Sequence, residues 1–161
     1  MLIGVGFAPA YDRFALSISQ CFSSLNVSED WTRYPDLLQF FEVNMGSSVL
    51  KSNFGSSLLS LNPNFVSDLW MYDKAVMGLI RQLPVFLIPN AYRFRKKLVL
   101  SIKKWHAYAR AYDDDERAIQ KGPSNEAWGS GLMRDRNEML RGLSNQDYDS
   151  VASTDLALIW A

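Results

Sequence analysis

Among its 161 residues this chain has a single cysteine, Cys21, and a single histidine, His106. One cysteine excludes an intrachain disulfide framework and a thiolate cluster for structural zinc. With one imidazole, a histidine-rich metal site is not expected. Charge of one sign is missing too: 17 Lys and Arg balance 17 Asp and Glu, so no global field recruits nucleic acid, and any basic patch must be local. No apolar run is long enough to span a bilayer. The opening Met1-Leu2-Ile3-Gly4-Val5-Gly6-Phe7 has no basic residues ahead of it, so neither a transmembrane helix nor a signal peptide is expected. A reducing, intracellular setting is the default for such cysteine usage. Alternating strand patterns, internal repeats and low-complexity tracts are absent as well.

What is there is helical patterning. Tyr11, Phe14, Ala15, Ile18, Phe22 and Leu25 recur on one narrow face, which predicts a first amphipathic helix. Residues 26–34 read as a loop, and Pro35 with Asp36 as the start of a second helix. Leu37, Leu38, Phe40, Phe41, Val43, Met45, Val49, Leu50 and Phe54 point in almost every direction, so that helix is expected at the centre. Gly55-Ser56-Ser57 breaks it. Asn62-Pro63 then supplies a cap and a first helical residue for a third helix, which buries Phe65, Leu69, Tyr72, Val76, Ile80 and Leu83 and exposes Ser67, Asp68 and Lys74. A fourth, long helix buries Ala91, Phe94, Leu98, Ile102, Trp105, Ala109 and Tyr112, carries Arg93, Lys96, Lys97, Lys103, Lys104 and Arg110 on its other side, and ends at residues 113–116. A loop through Gly122-Pro123-Ser124-Asn125 leads to a shorter helix over residues 132–140, stopped at Gly142. Finally, Ser153 and Thr154 offer capping chemistry before an apolar run ending at Ala161, which reads as a long buried helix cut off near its beginning. The expectation is an all-α fold in a single partial domain, residues 1–161, with five full helices and one truncated.

Between the third and fourth helices lies Leu83-Pro84-Val85-Phe86-Leu87-Ile88-Pro89-Asn90-Ala91-Tyr92. Pro84 should close one helix and Pro89 open the next. Connectors are ordinarily polar because their backbone groups need water. This one is apolar, which points to cover absent from this chain, to lipid, or to an apolar ligand.

Tyr11-Asp12-Arg13-Phe14, Phe54-Gly55-Ser56-Ser57-Leu58-Leu59-Ser60-Leu61-Asn62-Pro63, Asp68-Leu69-Trp70, Leu87-Ile88-Pro89-Asn90-Ala91-Tyr92, Lys104-Trp105-His106 and Asp155-Leu156-Ala157-Leu158-Ile159-Trp160-Ala161, in this order and spacing, resemble the middle of a fungal cytochrome P-450, a haem-thiolate monooxygenase. The resemblance covers most of the chain and implies helices D, E, F, G, H and the start of I. Residues 83–92 become the F to G connector, in that family a roof over the substrate cavity that often dips toward the membrane, of the kind that opens and closes. It further implies a parent that uses haem iron, O2 and a reductase to hydroxylate a lipophilic small molecule and associates with the endoplasmic-reticulum membrane. The family's haem-ligand cysteine, in a Phe- and Gly-containing turn, would lie beyond Ala161. The chain by itself is therefore expected to bind no cofactor and to be inactive.

Leu79, Leu83, Phe86, Leu87 and Ile88 are the candidates for contact with an apolar substrate, against the simpler reading of helix packing. Cys21, mid-helix without a neighbouring glycine, reads as an ordinary small side chain and no haem ligand. Glu138-Met139-Leu140-Arg141 matches the family's Glu-x-x-Arg pattern but falls before helix I, and reads as an exposed helix pair. The basic side of the fourth helix reads as a solvated face, with contact to anionic headgroups or a reductase as alternatives and nucleic acid disfavoured. Residues 113–116 lack the alternation of a calcium loop and read as a solvated helix end. A competing reading of the whole chain is a stand-alone helical binding or scaffold module that meets a membrane or a protein partner.

Overall fold

The structure, a computed structural model, describes residues 7–23, 33, 35–114, 124–142 and 147–160. Within them run α1 (Phe7–Ser23), α2 (Leu37–Phe54), α3 (Ser56–Leu61), α4 (Phe65–Ile80), α5 (Pro89–Asp114), the two-residue strands β1 (Ser124–Asn125) and β2 (Gly129–Ser130), α6 (Gly131–Gly142) and α7 (Tyr148–Trp160). The fold is all-α with one minimal hairpin, in which Ser124 pairs with Ser130 and Asn125 with Gly129. Leu25, most of the expected loop at 26–34, Asp115, Glu116, Gly122 and Pro123 lie outside the described residues.

Helix α5 is the axis of the core. Its stripe of Ala91, Leu98, Ile102, Trp105 and Ala109 is buried as the spacing predicts, and only Tyr112 at the far end is exposed. Trp105 is 0% exposed and donates its indole N–H to the carbonyl of Ala127 at 2.7 Å. Trp128 and Phe54 meet it edge-on, at 5.4 and 6.3 Å between ring centres, an arrangement that suits the ring quadrupoles. α4 and α7 pack along α5, and α1 packs on α2, where Arg13 Nε donates to the Ser52 carbonyl at 2.9 Å.

Two glycines let the hairpin dock. Gly55, with φ of 83°, joins α2 to α3, and Gly129, with φ of 72°, sits in β2. A Cβ on Gly129 would stand 2.1 Å from the Gly55 nitrogen, and one on Gly55 would stand 2.4 Å from the Glu126 carbonyl oxygen. Backbone lies against backbone here, which glycine alone permits. The contact is sewn by Ser57, whose Oγ donates to the Glu126 carbonyl at 2.9 Å, and by Ser130 Oγ, which donates to the Asn53 carbonyl at 2.9 Å.

Several boundaries depart from the sequence reading for identifiable reasons. Ser56 and Ser57 do not extend the break; they begin α3, an added short helix. Asp36 is the cap of α2, accepting from the Gln39 N–H at 2.9 Å, so Pro35 stands outside the helix. Asn62-Pro63 forms a turn and Asn64 precedes α4. Asp68, expected exposed, is buried because Lys97 grips both its oxygens, at 2.7 and 2.8 Å. Helix α7 begins at Tyr148, which puts Ser153 and Thr154 mid-helix. Helix α2 is not central along its length: Ser48, Leu50, Ser52 and Phe54 are buried, whereas Leu37, Leu38, Phe41, Val43, Met45 and Val49 are exposed.

Candidate functional site

The connector is built by the end of α4. Gln82 takes a left-handed φ of 56°, its N–H donates to the Leu79 carbonyl at 2.9 Å, and the Leu83 N–H donates to that of Gly78 at 3.1 Å. This pair of bonds closes a helix end with a left-handed residue, and Pro84 then prevents its resumption. Helix closure thus belongs to Gln82, ahead of Pro84, and leaves Leu83 outside α4. A turn follows in which the Leu87 N–H donates to the Pro84 carbonyl at 3.0 Å, and Pro89 opens α5 where a missing N–H is harmless. The Tyr92 hydroxyl donates to the Leu83 carbonyl at 3.0 Å and ties the connector to α5.

The five candidate side chains divide into two sets. Leu79 packs against the core, Leu83 and Ile88 are half-buried, and Ile88 Cδ1 lies 3.0 Å from where a Gly78 Cβ would stand. Phe86 and Leu87 turn outward, Phe86 with 79% exposure, and Met77, Ile80 and Val85 extend that apolar surface. The connector therefore packs one apolar side against α4 and turns another outward.

A second apolar feature opens between α2, α4 and α7, a groove of about 300 Å³ lined by Met45, Val49, Leu69, Trp70, Ile159 and Trp160 among others. Its rim is fixed by Trp70 Nε1 donating to the Glu42 carbonyl at 3.0 Å and by Trp160 Nε1 donating to Asp73 at 2.9 Å. Cys21 lies elsewhere, between α1 and α2, where its thiol donates to Asn44 Oδ1 at 3.1 Å beside Ser17, Gln20, Ser47 and Lys51.

His106 is the residue whose role the sequence least reveals. It is wholly buried, its ring tilted against those of Trp105 and Trp128, with Nε2 2.9 Å from Asp155 Oδ2, though off the line of a good hydrogen bond. Asp155, equally buried, also accepts from Arg136 Nε at 2.8 Å. Next to this pair Arg110 Nε donates to Asn137 at 3.0 Å, with its guanidinium 4.6 Å above the Tyr148 ring. The knot fastens α5, α6 and α7 together. Its sequence signal is an acid, Asp155, placed on the buried face of α7.

Much of the basic side of α5 is engaged within the chain. Lys97 pairs with Asp68, Lys103 with Asp149 at 2.5 Å, Lys104 donates to the Leu61 carbonyl at 2.8 Å, and Arg110 joins the knot. The hydrogen bond to Asp149 raises the Lys103 pKa above its ordinary value, with desolvation acting the other way. Burial raises that of Tyr72 on α4, against a smaller opposite effect of Arg95. Asp113 accepts from Trp128 Nε1 at 2.5 Å, so it anchors the hairpin as well as ending α5. Glu138 is exposed on α6, and the Arg141 side chain lies outside the described residues.

Comparison with curated proteins gives matches that run the length of this chain but cover only part of each relative. The cytochrome P450 monooxygenase fsoE of Humicola fuscoatra is 27% identical over 168 aligned residues, which take in 100% of this chain and 28% of fsoE. The chain is similar to a segment of fungal cytochrome P450 monooxygenases. A second cytochrome P450 monooxygenase, efuG of Hormonema carpetanum, is 26% identical over 165 residues, again 100% of this chain and 29% of efuG. The chain thus spans well under a third of the cytochrome P450 relatives it matches. No family model and no solved structure matches.

Cytochrome P450 chemistry calls for haem, and neither the single cysteine nor the single histidine of this chain sits in surroundings that fit it. Cys21 faces a small polar hollow and bonds to Asn44, with no apolar slot for a porphyrin. The His106 ring is enclosed by tryptophans and Asp155. No helix among the described residues is long and apolar enough to cross a membrane.

Proposed function

We propose that this chain is the lid-side segment, helix D to the start of helix I, of a haem-dependent monooxygenase that inserts one atom of O2 into a lipophilic small molecule. α1, α2, α4, α5, α6 and α7 take the places of D, E, F, G, H and the start of I, and the apolar stretch 83–92, whose last four residues form the first turn of α5, is the F to G connector. The observation that carries this reading is the alignment of the whole chain with one continuous portion of two monooxygenases. The apolar connector supports it, because outward Phe86 and Leu87 are costly to expose unless something apolar meets them. In this reading Leu79, Leu83 and Ile88 form a substrate-facing seat and Phe86 and Leu87 a cap toward a membrane surface, while haem, a reductase and the oxygen chemistry belong to the remainder of the parent. The isolated chain is inactive, since neither Cys21 nor His106 is placed to hold haem.

Sequencing the transcript on both sides of this segment tests the reading. A continuing frame with a cysteine-containing haem loop downstream is the expected result, and closed frames on both sides would contradict it. One observation favours the alternative, a stand-alone helical module: the core around Trp105 is built from side chains of this chain. That module would use the connector as its binding surface.

A further inference from the structure

Helices α5 and α7 leave an open cleft of about 600 Å³ between them. Arg95, Lys96, Val99, Leu100 and Lys103, two adjacent pairs and a single residue that recur every three or four positions along α5, form one wall, and Asp149 and Ser153 stand on the other. The charge in the cleft is unbalanced. Lys103 and Asp149 neutralise each other, whereas Arg95 and Lys96 have no carboxylate partner among the described residues. Arg95 Nη2 reaches Ser153 Oγ only at 3.5 Å, too long to use the donors of the guanidinium well. Beside these cations lies apolar surface, half-buried Val99 and exposed Leu100. Lysines along an amphipathic helix ordinarily meet only water; here two uncommitted cations, a hydroxyl and two aliphatic side chains share one concavity between two helices.

We propose that this cleft binds a small amphiphilic anion, its phosphate or carboxylate head between Arg95 and Lys96 beside Ser153 and its hydrocarbon chain on Val99 and Leu100. A guanidinium meets such a head with paired donors, and the lysine adds a point charge. The volume suits a ligand of this size. The proposal does not depend on the oxygenase reading, because it uses neither the connector nor haem.

The test is titration of the full chain and its Arg95→Gln/Lys96→Gln variant with dodecyl phosphate below its micellar concentration, with dodecyl maltoside as the uncharged control. Vesicles of phosphatidylcholine with and without phosphatidylglycerol form a second arm. Adhesion to exposed apolar faces is common to both proteins and both detergents, so the reading lies in the differences. Dodecyl phosphate should bind the parent about tenfold more tightly than the variant and lose affinity as salt rises, with the maltoside indifferent to the substitutions. Charge-dependent binding of the monomeric detergent would mark a soluble ligand; charge-dependent binding confined to phosphatidylglycerol vesicles would mark a bilayer headgroup. Equal binding of dodecyl phosphate and of those vesicles by parent and variant, or maltoside binding as tight as phosphate, would overturn the proposal. Should the double variant lose helicity by circular dichroism, Lys96→Gln alone, at an exposed position, carries the same test with an effect of about threefold.

Discussion

Trp105 in α5 and Leu38 in α2 are both large apolar side chains on long helices, yet the first is 0% exposed and the second 68%. The difference lies in the partners. α5 has one apolar stripe, and α4, α7 and the hairpin cover it. The apolar residues of α2 surround its axis, and among the described residues they are buried only toward its C-terminal end. Among the described residues, then, the apolar stripe of α5 is covered and much of the apolar surface of α2 is not.

Substitutions where the stripe of α5 is covered should be the most damaging. Trp105→Ala removes the centre of the core and the bond to Ala127, and should cost about 3–5 kcal/mol in chemical denaturation. Gly129→Ala forces a Cβ into the Gly55 backbone at a positive φ and should cost about 3 kcal/mol or more, with loss of the cooperative transition. Both should far exceed Val49→Ser in α2, whose effect on stability stays within about 0.5 kcal/mol while binding of a hydrophobic dye falls. Equal damage from the two sets would erase the contrast. Gln82→Gly should stabilise the chain by about 1 kcal/mol by relieving the left-handed strain at the α4 terminus, read as a shift in denaturation midpoint. The smallest effect concerns pH. The Tyr72 pKa is raised in the folded state, so its contribution to stability is present below its unfolded value and is lost as pH climbs through the folded one. Tyr72→Phe should remove that alkaline loss from the stability profile.

The all-α class, the buried stripe of α5 and the opening of α5 at Pro89 were legible because each rests on local periodicity or on proline's missing donor. The docked hairpin was not. Gly129 gives no local sign that it will face Gly55, which is distant in sequence, and Trp128 enters the core only because that docking places it there. Gln82 was equally silent, since nothing in its side chain favours a left-handed backbone. Of the site, the apolar character of the connector was evident, but not its division into inward Leu79, Leu83 and Ile88 and outward Phe86 and Leu87, which follows from the turn set by Gln82 and Pro84. The His106 to Asp155 pairing joins two helices whose register only the tertiary packing fixes.

The central claim is that the apolar stripe of α5 is covered within the described residues, whereas α2 and the connector expose apolar surface. It is tested most directly by sedimentation velocity of the purified chain together with titration of a hydrophobic dye. The account predicts dye binding and concentration-dependent self-association, both reduced when Leu38, Phe41 and Phe86 are replaced by serine. A monodisperse monomer that binds no dye and melts in one cooperative transition would contradict it.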